Sequence, residues 1–207
     1  MGGACTTANT AIDASLASFN DTDNVTVIKI LIIGPSQAGK SHLLYCWVHG
    51  NQIILNNVPQ TQDFNMEKVQ SKSGIIYTMW EVSGQPNMRY KRRNFFYGTQ
   101  GIVYVINNDR SNDEVWADTH QDLDSLLHEK DLKEVPLLIV VNKLLNGDTL
   151  STDEIKLRLN LKENLNRTWR LIEIDYKQQN DIENALNILE SLLTQVYGNE
   201  HTKHEIC

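Results

Sequence analysis

An apolar run that leads straight into a glycine-bounded turn is the feature that most limits the folds open to this chain. Residues 25–33 read V-T-V-I-K-I-L-I-I, residues 34–41 read G-P-S-Q-A-G-K-S, and L-L-Y follows at 43–45. This order indicates a strand, a tight turn and the start of a helix. Glycines let backbone N–H groups turn inward around an anion, and the helix adds its positive dipole end. The spacing G-x-x-x-x-G-K-[ST] therefore predicts a phosphate-binding loop, against the alternative of a turn that binds nothing.

Each part of this predicted loop has a task in binding a nucleotide. Lys40 would neutralise the β- and γ-phosphates, and Ser41 would offer its hydroxyl to Mg²⁺, which keeps several of its waters in proteins. Backbone groups of the loop would surround the phosphate oxygens. The predicted phosphate-contacting residues are Gly34, Gln37, Ala38, Gly39, Lys40 and Ser41.

Chain length and charge limit the possible partners. The 207 residues suffice for one compact α/β domain with tails. A net charge of -7 argues against a nucleic-acid partner, because nucleic-acid-binding proteins usually carry a basic surface. Positive charge is bunched at residues 89–93, either as a solvated face or as a contact for acidic lipids or an acidic partner. The three cysteines have neither metal nor redox spacing, which indicates a reducing compartment, and Cys46 stands among apolar core residues.

The N-terminal sequence M-G-G-A-C-T fits the pattern M-G-x-x-x-[ST]. Gly2 is therefore a candidate for myristoylation, and Cys5 for palmitoylation, which matters because one myristoyl chain holds a membrane only marginally. The alternative is a disordered tail of small residues. With neither a membrane-spanning run nor a secretory signal in the sequence, we expect a cytoplasmic protein, peripheral on a membrane surface if lipidated. The expected organisation is an N-terminal tail at 1–24, one domain at 25–198 and a C-terminal tail at 199–207.

Strand-like and helix-like segments alternate along the rest of the chain. Helices are expected after Asn112, Ser151 and Asp181, and Ser151 has capping-box spacing to Glu154. The predicted strands are residues 75–82, 102–106, 135–141 and 171–174, with a hairpin around 71–74. This pattern predicts an α/β P-loop domain. Its sheet would be six-stranded and mostly parallel with one antiparallel edge pair, its helices would cover both faces, and its ligand would lie at the carboxyl ends of the strands.

A second motif, W-E-V-S-G-Q at residues 80–85, ends one of these strands. Glu81 would reach Mg²⁺ through a water, the backbone N–H of Gly84 would meet a γ-phosphate, and Gln85 would orient the attacking water as the catalytic residue. The alternative is an exposed turn at the end of a strand.

Together these motifs resemble the ADP-ribosylation-factor family of small GTP-binding proteins, from about residue 27 to 198. Residues 80–85 look like its W-D-V-G-G-Q, residues 95–101 (F-F-Y-G-T-Q-G) like its Y-F-x-x-T-x-G, and residues 61–65 (T-Q-D-F-N) like its T-I-G-F-N. The resemblance implies a small G-domain that binds GTP/GDP and Mg²⁺, with Thr61 as a ligand of the metal and a sensor of the γ-phosphate. It also implies effector proteins that bind the switch regions through Phe64, Trp80 and Phe95, and a lipidated Gly2.

The departures from the family pattern fall on the part of the site that reads the base. The family's N-K-x-D is N-K-L-L here, so Asn142 and Lys143 would still brace the loop and cover the base, whereas Leu145 cannot accept hydrogen bonds. Unmatched base donors would cost about 1.5–3 kcal/mol per contact. Asp148 lies three residues further on. The family's C-A-T is D-Y-K, and Tyr176 would either stack on the base or fill its pocket.

Three hypotheses follow for the function. The first is a GTP-binding switch in membrane-associated signalling or vesicle trafficking, with slow Mg-dependent hydrolysis if it is active. The second is an adaptor on the same fold whose nucleotide is absent, permanently bound or non-selective. The third is a P-loop enzyme that uses another nucleotide, which residues 80–85 argue against. The intact phosphate half of the site favours the first.

Overall fold

Six strands form one sheet in the part of the chain that the computed structural model describes, which is residues 27–50, 58–110, 113–143, 149–161 and 167–198. The strands follow the order β2-β3-β1-β4-β5-β6 across the sheet. Their bounds are Ile28–Ile33 for β1, Phe64–Gln70 for β2, Ile76–Val82 for β3, Gly101–Asn108 for β4, Leu137–Lys143 for β5 and Trp169–Ile174 for β6.

The sheet has the predicted mixed topology. β2 pairs with β3 antiparallel, from Phe64 opposite Val82 to Gln70 opposite Ile76, and the other four neighbouring pairs are parallel. The turn at residues 71–74 joins the antiparallel pair, where the backbone N–H of Ser71 donates to the carbonyl of Ile75. The fold class predicted from the sequence is therefore confirmed, including its antiparallel edge pair.

Helices cover both faces of the sheet. The four α-helices of the described residues are Lys40–His49 (α1), Asp113–Leu127 (α2), Thr152–Arg158 (α3) and Gln179–Tyr197 (α4). Successive side chains of β1 belong to two different cores, because successive residues of a strand point to opposite faces of the sheet. Ile30 and Ile32 pack with α1 and α4, whereas Leu31 and Ile33 pack with α2 and α3.

The helix boundaries show where local signals succeed and where they fail. α3 begins with the predicted capping box, in which the Ser151 hydroxyl accepts from the Glu154 N–H and the Glu154 carboxylate accepts from the Ser151 N–H. Ile155 on that helix is buried, whereas Leu157 is 81% exposed. α4 begins at Gln179, before the expected start after Asp181.

Strand β5 begins at Leu137 rather than at residue 135, after Pro136. Proline has no N–H to donate to a sheet ladder, which explains the later start. In the described residues, no helix is both long enough and apolar enough to cross a membrane. The predicted tails at residues 1–24 and 199–207 lie outside the described ranges.

Candidate functional site

A cavity of about 370 Å³ opens where β1 and β3 end and α1 begins. This is the edge at which parallel α/β sheets bind ligands, because the loops after the strands meet there. Its described lining residues are Ser36, Gln37, Ala38, Gly39, Lys40, Ser41, His42, Val58, Pro59, Gln60, Thr61, Glu81, Ser83 and Gly84. The phosphate loop predicted from the sequence therefore forms one wall, and residues 58–61 together with Glu81, Ser83 and Gly84 form the other.

An asparagine relay holds the phosphate loop against the sheet. The side chain of Asn107, at the end of β4, donates to the carbonyl of Gln37 over 2.8 Å. Asn142, at the end of β5, donates in turn to the Asn107 side chain, also over 2.8 Å. Gln37 itself has a φ of 61°, a left-handed conformation that costs energy in a non-glycine residue and persists where the surroundings hold it. Asn142 thus braces the loop through an intermediate that the sequence motifs did not indicate.

Lys40 is buried at the base of the cavity, with 5% of its surface exposed. Its ammonium donates to the carbonyls of Pro35, over 2.6 Å, and Gly34, over 3.1 Å. Burial lowers the pKa of Lys40 to about 8, and the negative charges of Glu81 and Asp122 oppose that shift. A cation held on loop carbonyls in this way is placed to attract an anion into the cavity.

Three oxygen atoms from three different segments converge at the other side of the cavity. The Ser41 hydroxyl, at the start of α1, donates to Glu81 Oε1 over 2.5 Å. The Thr61 hydroxyl donates to the same oxygen over 3.2 Å and lies 3.1 Å from Ser41 Oγ. Burial raises the pKa of the fully buried Glu81, and the hydrogen bond from Ser41 opposes that shift most. The residues predicted to hold Mg²⁺ are thus brought together.

This oxygen cluster fits a hard cation. Mg²⁺ takes oxygen ligands, and the cluster offers two hydroxyls and one carboxylate. The second carboxylate oxygen of Glu81, Oε2, is buried and has no hydrogen-bond partner among the described residues. A buried charged oxygen without a partner is costly, so this position suits an additional ligand. Within the described ranges no group of three or more His, Cys, Asp or Glu residues forms an alternative metal site.

Gly84 lies flat against the phosphate loop. A Cβ atom at this position would come within 2.4 Å of the Pro35 carbonyl carbon and the Ser36 nitrogen, so a larger residue would displace the loop. The next residue, Gln85, donates its backbone N–H to the Ser83 hydroxyl over 3.4 Å. Gln85 is not among the described residues that line the cavity, whereas Ser83 and Gly84 are. The predicted catalytic glutamine therefore stands beside the cavity in this conformation.

On the side of the predicted base site, the polar groups have partners within the protein. Lys143 forms an ion pair with Glu173 at 3.4 Å. Tyr176 stacks on His42 with ring centroids 4.3 Å apart, and its hydroxyl donates to the Gly39 carbonyl over 2.9 Å. Gly39 has a φ of 94°, and a Cβ there would lie 2.6 Å from the tyrosine hydroxyl. Tyr176 therefore packs against the phosphate loop, which favours the pocket-filling alternative over stacking on a base.

The predicted effector residues form one aromatic cluster. Phe64 lies 5.6 Å from Trp80 and 5.2 Å from Phe95, measured between ring centroids, and Trp80 lies 5.9 Å from Phe95. Only Phe64 is exposed, at 45%, whereas Trp80 and Phe95 are each 6% exposed. Lys29 supports the cluster from β1, because its ammonium donates to the carbonyls of Phe95 and Tyr97 over 2.7 Å each.

The basic run at residues 89–93 is not simply a solvated face. Its arginines pair with acidic residues on or just after α2, in the pairs Arg89–Asp118, Arg92–Asp122 and Arg93–Glu129. The Asp122 side chain is 5% exposed and also accepts a hydrogen bond from the buried Tyr104 hydroxyl over 2.8 Å. The second switch segment, residues 85–93, is thereby tied to α2.

Three residues that shape the site belong to none of the sequence motifs: Lys29, His42 and Asn107. Asn107 could have been found as a polar residue that closes a buried strand at the ligand edge, but Lys29 and His42 carry no such signal. Of the residues singled out from the sequence, Gly2, Cys5, Leu145 and Asp148 lie outside the described ranges.

The phosphate loop, the hydroxyl–carboxylate cluster and the mostly parallel sheet define a P-loop nucleotide-binding domain with the fold of the small GTPases. A sequence model of the ADP-ribosylation factor family matches residues 16–193, so the chain belongs to that family. Among solved structures, the fold is similar to the Arl6 BBS3 small GTPase from Trypanosoma brucei with bound nucleotide analogue GppNp, with a TM-score of 0.71. The two are 12% identical, and the match covers 83% of this chain and 99% of that chain. A guanine nucleotide is the ligand that membership of this family implies.

Proposed function

We propose that the chain binds GTP and GDP with Mg²⁺ and acts as a switch whose segments at residues 61–64 and 85–93 respond to the terminal phosphate. The observation that carries this proposal is the hydroxyl of Thr61, which lies 3.1 Å from Ser41 Oγ and 3.2 Å from Glu81 Oε1. That contact links the first switch segment to the start of the P-loop helix and to the end of β3. A ligand that occupies this point can order the first switch segment, and its loss can release it.

The chain's own groups divide the work of phosphate binding. The loop backbone and the Lys40 ammonium would bind the phosphates, and Ser41, Thr61 and Glu81 would hold the metal, which supplies charge neutralisation. The Gly84 backbone, next to Ser36, would report the γ-phosphate to the second switch segment. Gln85 would orient water for hydrolysis. Because Gln85 is outside the cavity lining, we expect intrinsic hydrolysis to be slow until residues 85–93 move.

Nucleotide analysis of the purified chain tests this proposal directly. The full chain would be purified without added nucleotide, any bound nucleotide identified after denaturation, and GTP, GDP and ATP titrated by calorimetry with Mg²⁺. Binding of GTP and GDP supports the proposal, and the variant Lys40→Ala should weaken it by at least about tenfold because a charge-assisted contact is lost. Lys133→Ala changes an exposed lysine that precedes β5, away from the carboxyl ends of the strands, so it is the matched control and should bind as wild type. Unchanged affinity in Lys40→Ala would refute the phosphate role.

A second candidate function is an adaptor whose nucleotide is absent or non-selective. It is favoured by the internal partners on the base side, where Lys143 pairs with Glu173 and Tyr176 packs on Gly39 and His42. Equal binding of ATP and GTP, or binding of neither, would support the adaptor over the switch.

We further propose that the switch works at a membrane surface on the cytoplasmic side. Lipidation of Gly2 and Cys5, in an N-terminal tail at residues 1–24, would supply two anchoring chains. Effector proteins would bind the cluster of Phe64, Trp80 and Phe95, where the exposed Phe64 offers an apolar contact. Signalling or vesicle trafficking is the setting that such an anchored switch suits.

A further inference from the structure

Three oxygen atoms at the end of the cavity form a hydrogen-bonded triangle with one short edge. Its edges are 2.5 Å between Ser41 Oγ and Glu81 Oε1, 3.1 Å between Ser41 Oγ and Thr61 Oγ1, and 3.2 Å between Thr61 Oγ1 and Glu81 Oε1. Octahedral Mg²⁺ holds its ligands at about 2.0–2.1 Å, so neighbouring ligands lie about 2.9 Å apart. Two edges of the triangle are close to this spacing and the Ser41–Glu81 edge is shorter, so small shifts of these side chains would place the three oxygens on one face of an octahedral shell, with the carboxylate oxygen as one corner.

The length of the Glu81 side chain places its carboxylate in this triangle. Glu81 projects from β3 opposite Ile32 of β1 and is 0% exposed. An aspartate at the same position would be one methylene shorter, which would withdraw the carboxylate from the two hydroxyls. From its place in the sequence, Glu81 was expected to reach Mg²⁺ through a water, whereas its Oε1 lies within hydrogen-bond distance of both hydroxyls that are predicted to bind the metal.

The charge of Glu81 and its unpaired carboxylate oxygen both favour a cation at this site. Glu81 Oε2 has no partner among the described residues, and Lys40, the nearby cation, directs its hydrogen bonds to Gly34 and Pro35 instead. A buried carboxylate without a direct ion-pair partner favours a cation, since an unpaired buried charge is costly. The two hydroxyls are neutral, so Glu81 is the one formal charge among the three corners.

We infer that Glu81 is a direct ligand of the metal and that, with Ser41 and Thr61, it binds a divalent cation before any nucleotide arrives. This inference refines the metal site of the proposed function. It rests on the proposed function for the identity of the nucleotide that binds after the cation. It adds a specific order: the cation binds to the nucleotide-free chain and holds Thr61 of the first switch segment in place. Waters complete the coordination until phosphate oxygens replace them.

Manganese binding to the nucleotide-free full-length chain tests the inference. Mn²⁺ would be titrated and the free ion counted by electron paramagnetic resonance, first without nucleotide and then with GTP. We expect one Mn²⁺ per chain without nucleotide. Glu81→Gln, which keeps the shape and removes the charge, should weaken this binding by at least about tenfold, since loss of even outer-shell partners costs 10–100-fold.

Two matched variants separate direct ligation from a structural role. Glu81→Asp keeps the charge but shortens the side chain, so it should lose nucleotide-free Mn²⁺ binding by about tenfold while it retains Mn²⁺ binding in the presence of GTP. Thr61→Val keeps the shape and removes the hydroxyl, and it should also weaken nucleotide-free binding. Asp63→Asn removes a carboxylate two residues from Thr61 and outside the triangle, and it should bind Mn²⁺ as wild type.

The outcomes distinguish this inference from the proposed function. Mn²⁺ uptake that requires GTP, or that is equal in wild type and Glu81→Asp, overturns the direct-ligand inference and leaves the switch proposal standing. Mn²⁺ uptake without any GTP or GDP binding sustains the inference and overturns the switch proposal.

Discussion

Tyr176 and His42 stack beside the phosphate loop, and the tyrosine hydroxyl reaches the carbonyl of Gly39. Burial raises the pKa of the Tyr176 phenol and lowers that of the His42 imidazole, so both rings are uncharged near neutral pH. The pair thus adds bulk and no charge at the point where the phosphate loop passes into α1. At the scale of single residues, Tyr176 therefore occupies space beside the phosphate loop on the predicted base side.

Replacing Tyr176 by the smaller alanine should therefore raise the affinity for GTP and ATP alike, by about tenfold if one well-packed aromatic contact has to be displaced on binding. Leu145→Asp should instead raise only the affinity for GTP, because a carboxylate accepts the guanine donors and adenine lacks that pattern. Calorimetric titration of both nucleotides against each variant measures the two effects. Tyr176→Phe keeps the ring and removes the Gly39 contact, so it should resemble wild type. Equal affinities in all variants would mean that neither residue controls the base.

Asp122 is the central acceptor of the contacts between the second switch segment and α2. Its side chain is 5% exposed and serves both Arg92 and Tyr104, whereas Asp118 is 48% exposed and serves Arg89. Removal of a buried partner leaves an uncompensated charge, so Asp122→Ala should lower the free energy of unfolding by about 3–5 kcal/mol. Asp118→Ala should lower it by no more than about 1 kcal/mol, because exposed ion pairs contribute little. Urea denaturation followed by circular dichroism measures both, and equal losses would contradict this hierarchy.

Helix α3 carries a pH-dependent cap. Hydrogen bonds from the Ser151 backbone and hydroxyl and from Arg110 lower the pKa of Glu154 to about 2. The unfolded chain has a pKa of about 4.3 for glutamate, so the stabilisation from the charged cap is complete above that value and is lost as the pH falls toward 2. Wild type should therefore be more stable than Glu154→Gln at pH 7, and the difference should shrink as the pH falls. A difference that stays constant between pH 7 and pH 2, measured by thermal unfolding, would show that the carboxylate charge is not involved.

At the scale of the whole molecule, the N-terminal sequence predicts association with a membrane. If Gly2 is myristoylated and Cys5 palmitoylated, Gly2→Ala should move most of the chain from the membrane fraction to the soluble fraction, because one acyl chain alone binds only marginally. Fractionation of cells that express either form measures this, with mass spectrometry of the N-terminal peptide to detect the acyl groups. Gly3→Ala leaves the acceptor glycine in place and serves as the control. Membrane retention of Gly2→Ala would contradict anchoring through Gly2.

The positions of the phosphate loop, Ser41 and Glu81 were predictable from the sequence. A phosphate-binding turn and the strand end beside it require particular residue types at fixed spacing. The alternation of strands and helices was predictable for a similar reason, since the period of apolar residues follows the local structure. The ion pairs of Arg89 and Arg92 were not, because they join segments about thirty residues apart and no motif records such a contact. The position of Tyr176 was also open, because a sequence names a side chain but not the rotamer that packing selects.

Trp80 lies between both switch segments and is also close to a cation. Its ring contacts Phe64, from the end of the first segment, and Phe95, just beyond the second, while the Lys29 ammonium lies 5.4 Å from its centroid. A rearrangement of either segment would change the electric field and the solvent exposure at this indole. The wavelength of its fluorescence emission should therefore follow the conformation of both segments, so a variant in which Trp47, Trp116 and Trp169 are replaced by phenylalanine would contain its own optical reporter.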